Sequence, residues 1–366
     1  MASTTSGSQR TGRLSEKQKE LLAARIRGKS RNGKNGSVSG ISRRQDSSPA
    51  PLSFAQQRLW FLDQLAPGNP FYNIATALPF SAVIDADILE RSVNAVVERH
   101  EILRTTYEAV DGQPVQRVQD ESFIPLEIVE LTQMPAASRK PEAERIAAEA
   151  AATPFDLRTG PLLRTKLIRT GPTDYIFLLT LHHIVADGWS MGILASELTA
   201  IYTALASGQS ANLPELPIQY TDFAIWQRDW FRGEVLRKQL DFWRGKLEDL
   251  PTLRLPGDRP RPARTQFKGN VLEAELTPDL TRRLKELSRR ANCTLFITLL
   301  AGFKALLHRY CRQDDIVVGA PIANRNRPET EGLIGFFVNS IVLRTDLSGE
   351  PTFTELLSRV RQTAQE

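Results

Sequence analysis

Cysteine, histidine and methionine are scarce in this chain, at two, four and three of 366 residues. Cys293 and Cys311 flank a helix-like apolar segment and are too few for a disulfide framework, which fits a reducing cytoplasm. No apolar run approaches membrane-spanning length; the longest, residues 295–307, is broken by Lys304. The N-terminus is polar and rich in Ser, Thr and Gly, without the hydrophobic region of a secretory signal. Neither H-E-x-x-H nor a C-x-x-C pair occurs, so no metal site is expected.

What remains is an ordinary soluble composition, 41% hydrophobic and 24% charged, in a chain long enough for two lobes. The net charge of +5 is unevenly spread. Residues 1–50 hold eleven Lys/Arg against three Asp/Glu, leaving 36 basic against 39 acidic residues in the rest. The basicity belongs to the leading segment, and the body carries no excess that would suit nucleic acid.

Half of the histidines fall in one stretch, Tyr175-Ile-Phe-Leu-Leu-Thr-Leu-His182-His183-Ile-Val-Ala-Asp187-Gly188-Trp189-Ser190. The apolar run reads as a buried strand. From Met191 onward, Leu194, Leu198, Ile201, Tyr202 and Leu205 recur at helical spacing, so a helix is expected to begin near Ser190, a good N-cap type. Neighbouring strand residues point to opposite faces, so one histidine faces a cavity while the other packs inside. Asp187 either orients an imidazole or turns inward to pair with an arginine and hold the loop. Gly188 is expected to take a backbone conformation that other residues resist. The helix N-terminus favours a neutral imidazole and a developing oxyanion. Adjacent histidines on a strand diverge, which argues further against metal binding.

Around this turn, residues 1–13 read as disordered, Ser15 to Gly28 as one short helix opened by a capping box, and Lys29 to Pro51 as a flexible linker. Helices are expected over Gln56–Leu65, from an Asp87 cap to Arg99, over Pro141–Ala152, from Thr277-Pro278 through Leu287, and from Thr294 through Leu307. Strands are expected over Thr76–Val83, at an edge because of Pro79, over Arg164–Arg169 paired with Tyr175–Leu181, over Asn270–Leu276 and over Ile316–Val318. Prolines 251, 256, 260 and 262 mark an extended connection between lobes. A buried Asp187 needs a cation; Arg325 is the first candidate, with Arg99 and Arg104 behind it.

His182-His183-Ile-Val-Ala-Asp187-Gly188 resembles the signature of condensation domains of nonribosomal peptide synthetases, in the chloramphenicol acetyltransferase-like superfamily. Ser53-Phe-Ala-Gln-Gln-Arg58-Leu-Trp60-Phe-Leu62 resembles the family's opening motif, and Arg99-His100-Glu101-Ile-Leu103-Arg104-Thr105 its second. Tyr220-Thr-Asp222-Phe-Ala-Ile-Trp226-Gln227 and Ile334-Gly335-Phe-Phe-Val338-Asn339-Ser340 resemble two later ones, all in the family's order. The resemblance implies a mixed α/β (α+β) fold in which two such lobes form a V around an active-site tunnel. Residues 1–50 would precede a lobe at 51–230 and a second at 231–366, the latter lacking its last portion.

The implied chemistry is amide formation, in which the amine of an acceptor aminoacyl thioester attacks a donor acyl or peptidyl thioester. No cofactor would be bound directly; both substrates ride on phosphopantetheine arms of upstream and downstream carrier proteins, with an adenylation domain in the same assembly line. On resemblance His183 acts, with His182, Asp187 and Gly188 shaping the turn. Arg325, Arg99, Arg104 and Asn339 serve as supports, and Trp189, Ser190 and Trp226 line the substrate channel. Rival readings are an acyl-CoA-dependent transferase of the same superfamily, an epimerisation domain and a non-catalytic module that recruits carriers. Heterocyclisation would replace the histidine motif with an aspartate-based one, which is absent here.

Overall fold

The computed structural model describes residues 40–258 and 271–366. The helix expected after Ser15, linker residues 29–39, Pro260, Pro262 and Asn270 lie outside the described residues. In chain order the elements are β1 (Ala50–Pro51), α1 (Phe54–Leu65), β2 (Asn73–Ser81), α2 (Ala86–Arg99), β3 (Thr105–Val110), β4 (Gln113–Val118), β5 (Leu126–Glu130), α3 (Ala136–Ala152), β6 (Leu163–Arg169) and β7 (Asp174–His182). There follow α4 (Gly188–Ala206), α5 (Tyr220–Trp230), α6 (Gly233–Lys246), α7 (Pro278–Arg290), α8 (Leu295–Cys311), β8 (Asp315–Ile322), β9 (Asn339–Asp346) and α9 (Phe353–Gln365), with single turns at Pro70–Tyr72, Glu101–Arg104 and Pro328–Glu331.

Strand β7 is apolar on both faces because both are covered. It lies inside a sheet of order β2-β7-β6-β5, antiparallel to β2 and β6. Helix α3 carries the crossover between parallel β5 and β6 and closes one face by packing Ala143 against Ile168 and Leu178. The other face carries Leu167, Phe177, Leu179 and Leu181, which share a core with Val93 and Val96 of α2 and Leu194 and Ile201 of α4. Covering both faces turns the strand into a near-continuous hydrophobic run. β2 is at the edge of the sheet, the position Pro79 requires.

Several boundaries move from their expected places. Asp85, whose carboxylate accepts from the Ile88 N–H at 3.0 Å, caps α2 in place of Asp87. α3 starts at Ala136 and carries Pro141 inside it, in its second turn, where the missing N–H forgoes one backbone bond. Residues 271–276 hold no strand. The linker expected up to Pro51 ends earlier: Ile41 is buried in the first core, and the Arg44 N–H donates to Asp222 Oδ1 at 2.9 Å.

A second core is built by α8, α9, β8 and β9 around Ile297, Leu300, Ile316, Leu343, Leu357 and Val360. Lys304, a break in the apolar run when read linearly, is fully buried there. Its ammonium donates to Leu343 O at 2.6 Å and Thr345 Oγ1 at 2.7 Å, and burial pushes it down to about 8. The lobe boundary expected at residue 230 is not a packing boundary. Leu333, Ile334, Phe336 and Phe337, far along the chain, are buried in the first core. Among the described residues no single helix is long and apolar enough to cross a membrane.

Candidate active site

Strand β7 ends at His182, which pairs in register with Asn73 of β2. Because the strand alternates, the two imidazoles part company there. His182 is 2% exposed, edge-on to Tyr72 and Phe155, and its Nδ1 accepts from the Ile184 N–H at 3.1 Å. The His183 N–H donates to Tyr72 O at 2.7 Å, which fixes the turn, while its ring stays half-buried.

The tautomer of His183 follows from its partner. Nδ1 lies 2.7 Å from the carbonyl oxygen of Ala186, and a carbonyl only accepts, so Nδ1 carries the proton. Nε2, the other ring nitrogen, has no hydrogen-bond partner among the described residues. The ring rests edge-on against Phe336, with centroids 4.9 Å apart. The ring is oriented from behind by Ala186 O, and its second nitrogen is left without a partner among the described residues.

Asp187 does not orient that imidazole. It is fully buried and caps α4, a role expected of Ser190. Its Oδ1 accepts from the Ser190 N–H at 2.8 Å and from Arg325 Nη2 at 3.1 Å, and its Oδ2 accepts from the Phe337 N–H at 3.1 Å. Arg325 is the partner, as expected. Its Nη1 donates to Thr330 O and Leu333 O at 2.6 and 2.7 Å, and its guanidinium lies 4.1 Å from the Phe337 ring centre. Burial pulls the guanidinium below its usual range, with the Asp187 charge opposing it.

Together these groups hold one extended segment, Ile334–Phe337, against the histidine turn. Ser190 Oγ accepts from the Gly335 N–H at 3.0 Å and sits 2.8 Å from Gly335 O. Tyr220 Oη donates to Phe336 O at 2.5 Å and lies 2.8 Å from Ser53 Oγ. His100 Nδ1 accepts from the Ile334 N–H at 3.4 Å, and its Nε2 lies 2.8 Å from Glu197. A Cβ on Gly335 would meet the Tyr220 ring at 2.0 Å, so only glycine lets the segment come this close. Buried backbone groups are thereby paired by side chains, and the segment presents Phe336 to His183.

The remaining predicted residues divide. Arg99 binds Glu197 at 3.1 Å and the carbonyl of Pro214, not Asp187. Arg104 binds the carbonyl of Gln119. Asn339 is exposed and bonds locally to the Ser340 N–H at 2.9 Å. Trp189 is half-exposed and donates to Glu331 O at 3.1 Å, whereas Ser190 is sealed and structural. Trp226 stacks on Trp230 at 5.6 Å, with Arg327 over its ring, and makes no hydrogen bond to the histidine turn. Gly188 has no left-handed φ, and a Cβ there would meet nothing within 4 Å. Its expected conformational role is corrected: it leaves open space beside the turn.

Glu197 had no place in the motif reading, although it falls on the buried stripe Ser190, Leu194, Glu197, Ile201. A charge at such a position signals a buried partner, here His100 and Arg99.

Burial pushes His182 down from 6.5 to about 4, with the nearby His183 adding to the effect. The folded state then binds fewer protons than the unfolded chain between these values. The stability tied to neutral His182 is complete above pH 6.5 and lost as pH falls toward 4. The expected loss is up to about 3 kcal/mol. Urea midpoints measured from pH 7 to 4.5 should fall more steeply for the native chain than for His182→Gln; equal slopes would contradict the buried neutral state.

Comparison with known proteins points the same way as this geometry. Residues 47–366 match the model of a family described as the condensation domain. A linear gramicidin synthase of Brevibacillus parabrevis is 51% identical over 317 residues, 86% of this chain and 4% of that protein. Phosphinothricin tripeptide synthetase PhsC of Streptomyces viridochromogenes is 42% identical over 358 residues, 98% of this chain and 33% of that protein. The chain thus spans a minor part of these curated relatives. Among solved structures, the X-domain from teicoplanin biosynthesis superposes with a TM-score of 0.80 at 27% identity, covering 89% of this chain and 72% of that one. The first condensation domain of the CDA synthetase, at 22% identity and a TM-score of 0.72 over 87% and 76% of the two chains, shares the fold.

Proposed function

Because this chain belongs to the condensation domain family, we propose that it forms an amide bond between two tethered substrates, a donor acyl or peptidyl thioester and the amine of an acceptor aminoacyl thioester. The observation that carries this reading is the setting of His183: a proton fixed on Nδ1 by Ala186 O, Nε2 without a partner among the described residues, and the ring half-buried. An α-amine has a pKa of about 7.7 to 8.0, so a useful share is unprotonated near neutral pH and attacks without prior deprotonation. As the new C–N bond forms, the nitrogen becomes acidic and Nε2 accepts its proton; the thiolate of the donor arm leaves and takes a proton in turn. Positioning two tethered reactants supplies the larger share of the acceleration.

Gramicidin and phosphinothricin tripeptide synthetases among the relatives support an assembly-line setting. In that setting the substrates arrive on phosphopantetheine arms of carrier proteins, next to an adenylation domain, in the cytoplasm. The buried pair Asp187 and Arg325 and the segment it secures support His183 by holding Phe336 against its ring.

The test is product formation by the synthetase that carries this domain, with donor and acceptor aminoacyl groups loaded on separate carriers. The expected result is an amide product from loaded carriers and none when free acyl-CoA replaces the donor carrier. Equal turnover with acyl-CoA would assign a CoA-dependent transferase. Carrier binding without any product would leave a recruiting module.

A further inference from the structure

Three backbone N–H groups of the Ile334–Phe337 segment are held, directly or at one remove, from the single helix α4. Asp187 at its cap takes the Phe337 N–H at 3.1 Å, and Ser190 Oγ takes that of Gly335 at 3.0 Å. Glu197 lies about two turns beyond Ser190 on the same buried stripe and reaches the third N–H through His100. The His100 ring is 1% exposed at the end of α2, where Gln219 fixes the backbone on both sides: its Nε2 donates to Arg99 O at 3.0 Å and its Oε1 accepts from the Glu101 N–H at 3.1 Å. A backbone N–H only donates, so the His100 Nδ1 that meets Ile334 N–H at 3.4 Å carries no proton. The ring proton is on Nε2 and is donated to Glu197 Oε2 at 2.8 Å. The second carboxylate oxygen accepts from Arg99 Nε at 3.1 Å. Burial raises the Glu197 carboxyl, but the bonds from His100 and Arg99 outweigh it and hold it below its ordinary range.

We propose that Glu197 is a positioning residue for His183. It fixes the His100 tautomer whose bare Nδ1 holds Ile334, and with it the segment that sets Phe336 against the His183 ring. The consequence for turnover rests on the proposed amide-forming reaction; the relay does not. A carboxylate is required because both of its neighbours donate to it. Arg99 has no acceptor, so an amide in this place would turn its oxygen to Arg99 and its N–H to His100. His100 can answer only by moving its proton to Nδ1, where it opposes the Ile334 N–H. Two buried donors facing each other are both left unpaired, which displaces the segment.

Glu197→Gln, an isosteric change, tests this in the full chain with isotope labels in the histidine rings. The ring-nitrogen resonances of His100 are expected to report a proton on Nε2 in the native chain and on Nδ1 in Glu197→Gln. The Cε1–H signal of His183, whose ring lies 4.9 Å from that of Phe336, is expected to move with it. With four histidines in the chain, each signal is assignable by single substitution. His100→Asn puts an oxygen in the place of Nδ1 and has no tautomer to switch, so it is expected to return the His183 signal toward its native position even when combined with Glu197→Gln. His100→Gln, which reaches Glu197 but not Ile334, is expected to leave that signal displaced. An unchanged His100 tautomer in Glu197→Gln overturns the proposal. So does an equal displacement of the His183 signal in His100→Asn and His100→Gln, a comparison that decides the matter even where Glu197→Gln fails to fold.

In the synthetase, Glu197→Gln is expected to lower kcat about tenfold to a hundredfold, up to the loss that a misplacement of about 1 Å can cause, with KM for the loaded acceptor carrier unchanged. Adding His100→Asn is expected to restore most of the rate. A raised KM with kcat retained overturns the positioning of His183, since the relay would then be holding substrate. If no loaded carrier gives product, the amide-forming reading fails while the histidine spectra still decide the relay.

Discussion

His183→Ala is expected to slow amide formation from loaded carriers about 10²- to 10⁴-fold, the usual worth of a positioned general base. The fold should survive. The ring is half-buried and bonds only locally to Ala186 O, while the bond that shapes the turn runs from the His183 backbone N–H to Tyr72 O and stays intact. A melting temperature near that of the native domain, with carrier affinity unchanged, would assign the loss to chemistry. Single-turnover product formation is the decisive measurement, because product release drops out of it. Unchanged turnover would remove His183 from the reaction. A loss below about tenfold would leave it orienting the amine, since general-base catalysis is worth more than that.

Arg325→Ala is expected to destabilise the domain by about 3–5 kcal/mol, the cost of leaving one member of a buried ion pair without the other. Both side chains are almost wholly buried, at 1% and 0% exposure. Removing the guanidinium strands the Asp187 charge and also the carbonyls of Thr330 and Leu333. Asp187→Asn is milder for the helix cap, since the amide oxygen still accepts from the Ser190 N–H, but it leaves the Arg325 cation without its counter-charge. Activity should fall with stability in both variants. Asp187 Oδ2 holds the Phe337 N–H, and the neighbouring Phe336 is the surface against which the His183 ring rests. Urea unfolding of the two single variants and the double variant gives the coupling directly; a loss under about 1 kcal/mol for Arg325→Ala would mean that the charges are solvated.

The strands and helices around the turn were readable because their signals are local. The apolar run into His182, Pro79 at a sheet edge, and the Thr277 and Thr294 caps each depend on a few neighbouring residues, and each is found. Other elements failed for the same reason in reverse. Residues 271–276 have a strand-like composition, yet composition provides no neighbour to pair with. Lys304 reads as an interruption until Leu343 and Thr345, about forty residues away, supply its acceptors.

The sequence by itself singled out the candidate site: two adjacent histidines at a strand end, followed by an aspartate and a glycine, in a chain with only two other histidines. It also suggested Arg325 for Asp187, since a buried carboxylate needs a cation. Only the tertiary structure decided that Asp187 serves the cap and the ion pair and leaves the imidazole alone, that Nδ1 of His183 donates to Ala186 O, and that Ile334–Phe337 lines the site from over 140 residues away. The reason is the range of the forces. Strand alternation and capping act between near neighbours, whereas the tautomer of an imidazole and the partner of a buried charge are set by whichever groups the folded chain brings within about 3 Å.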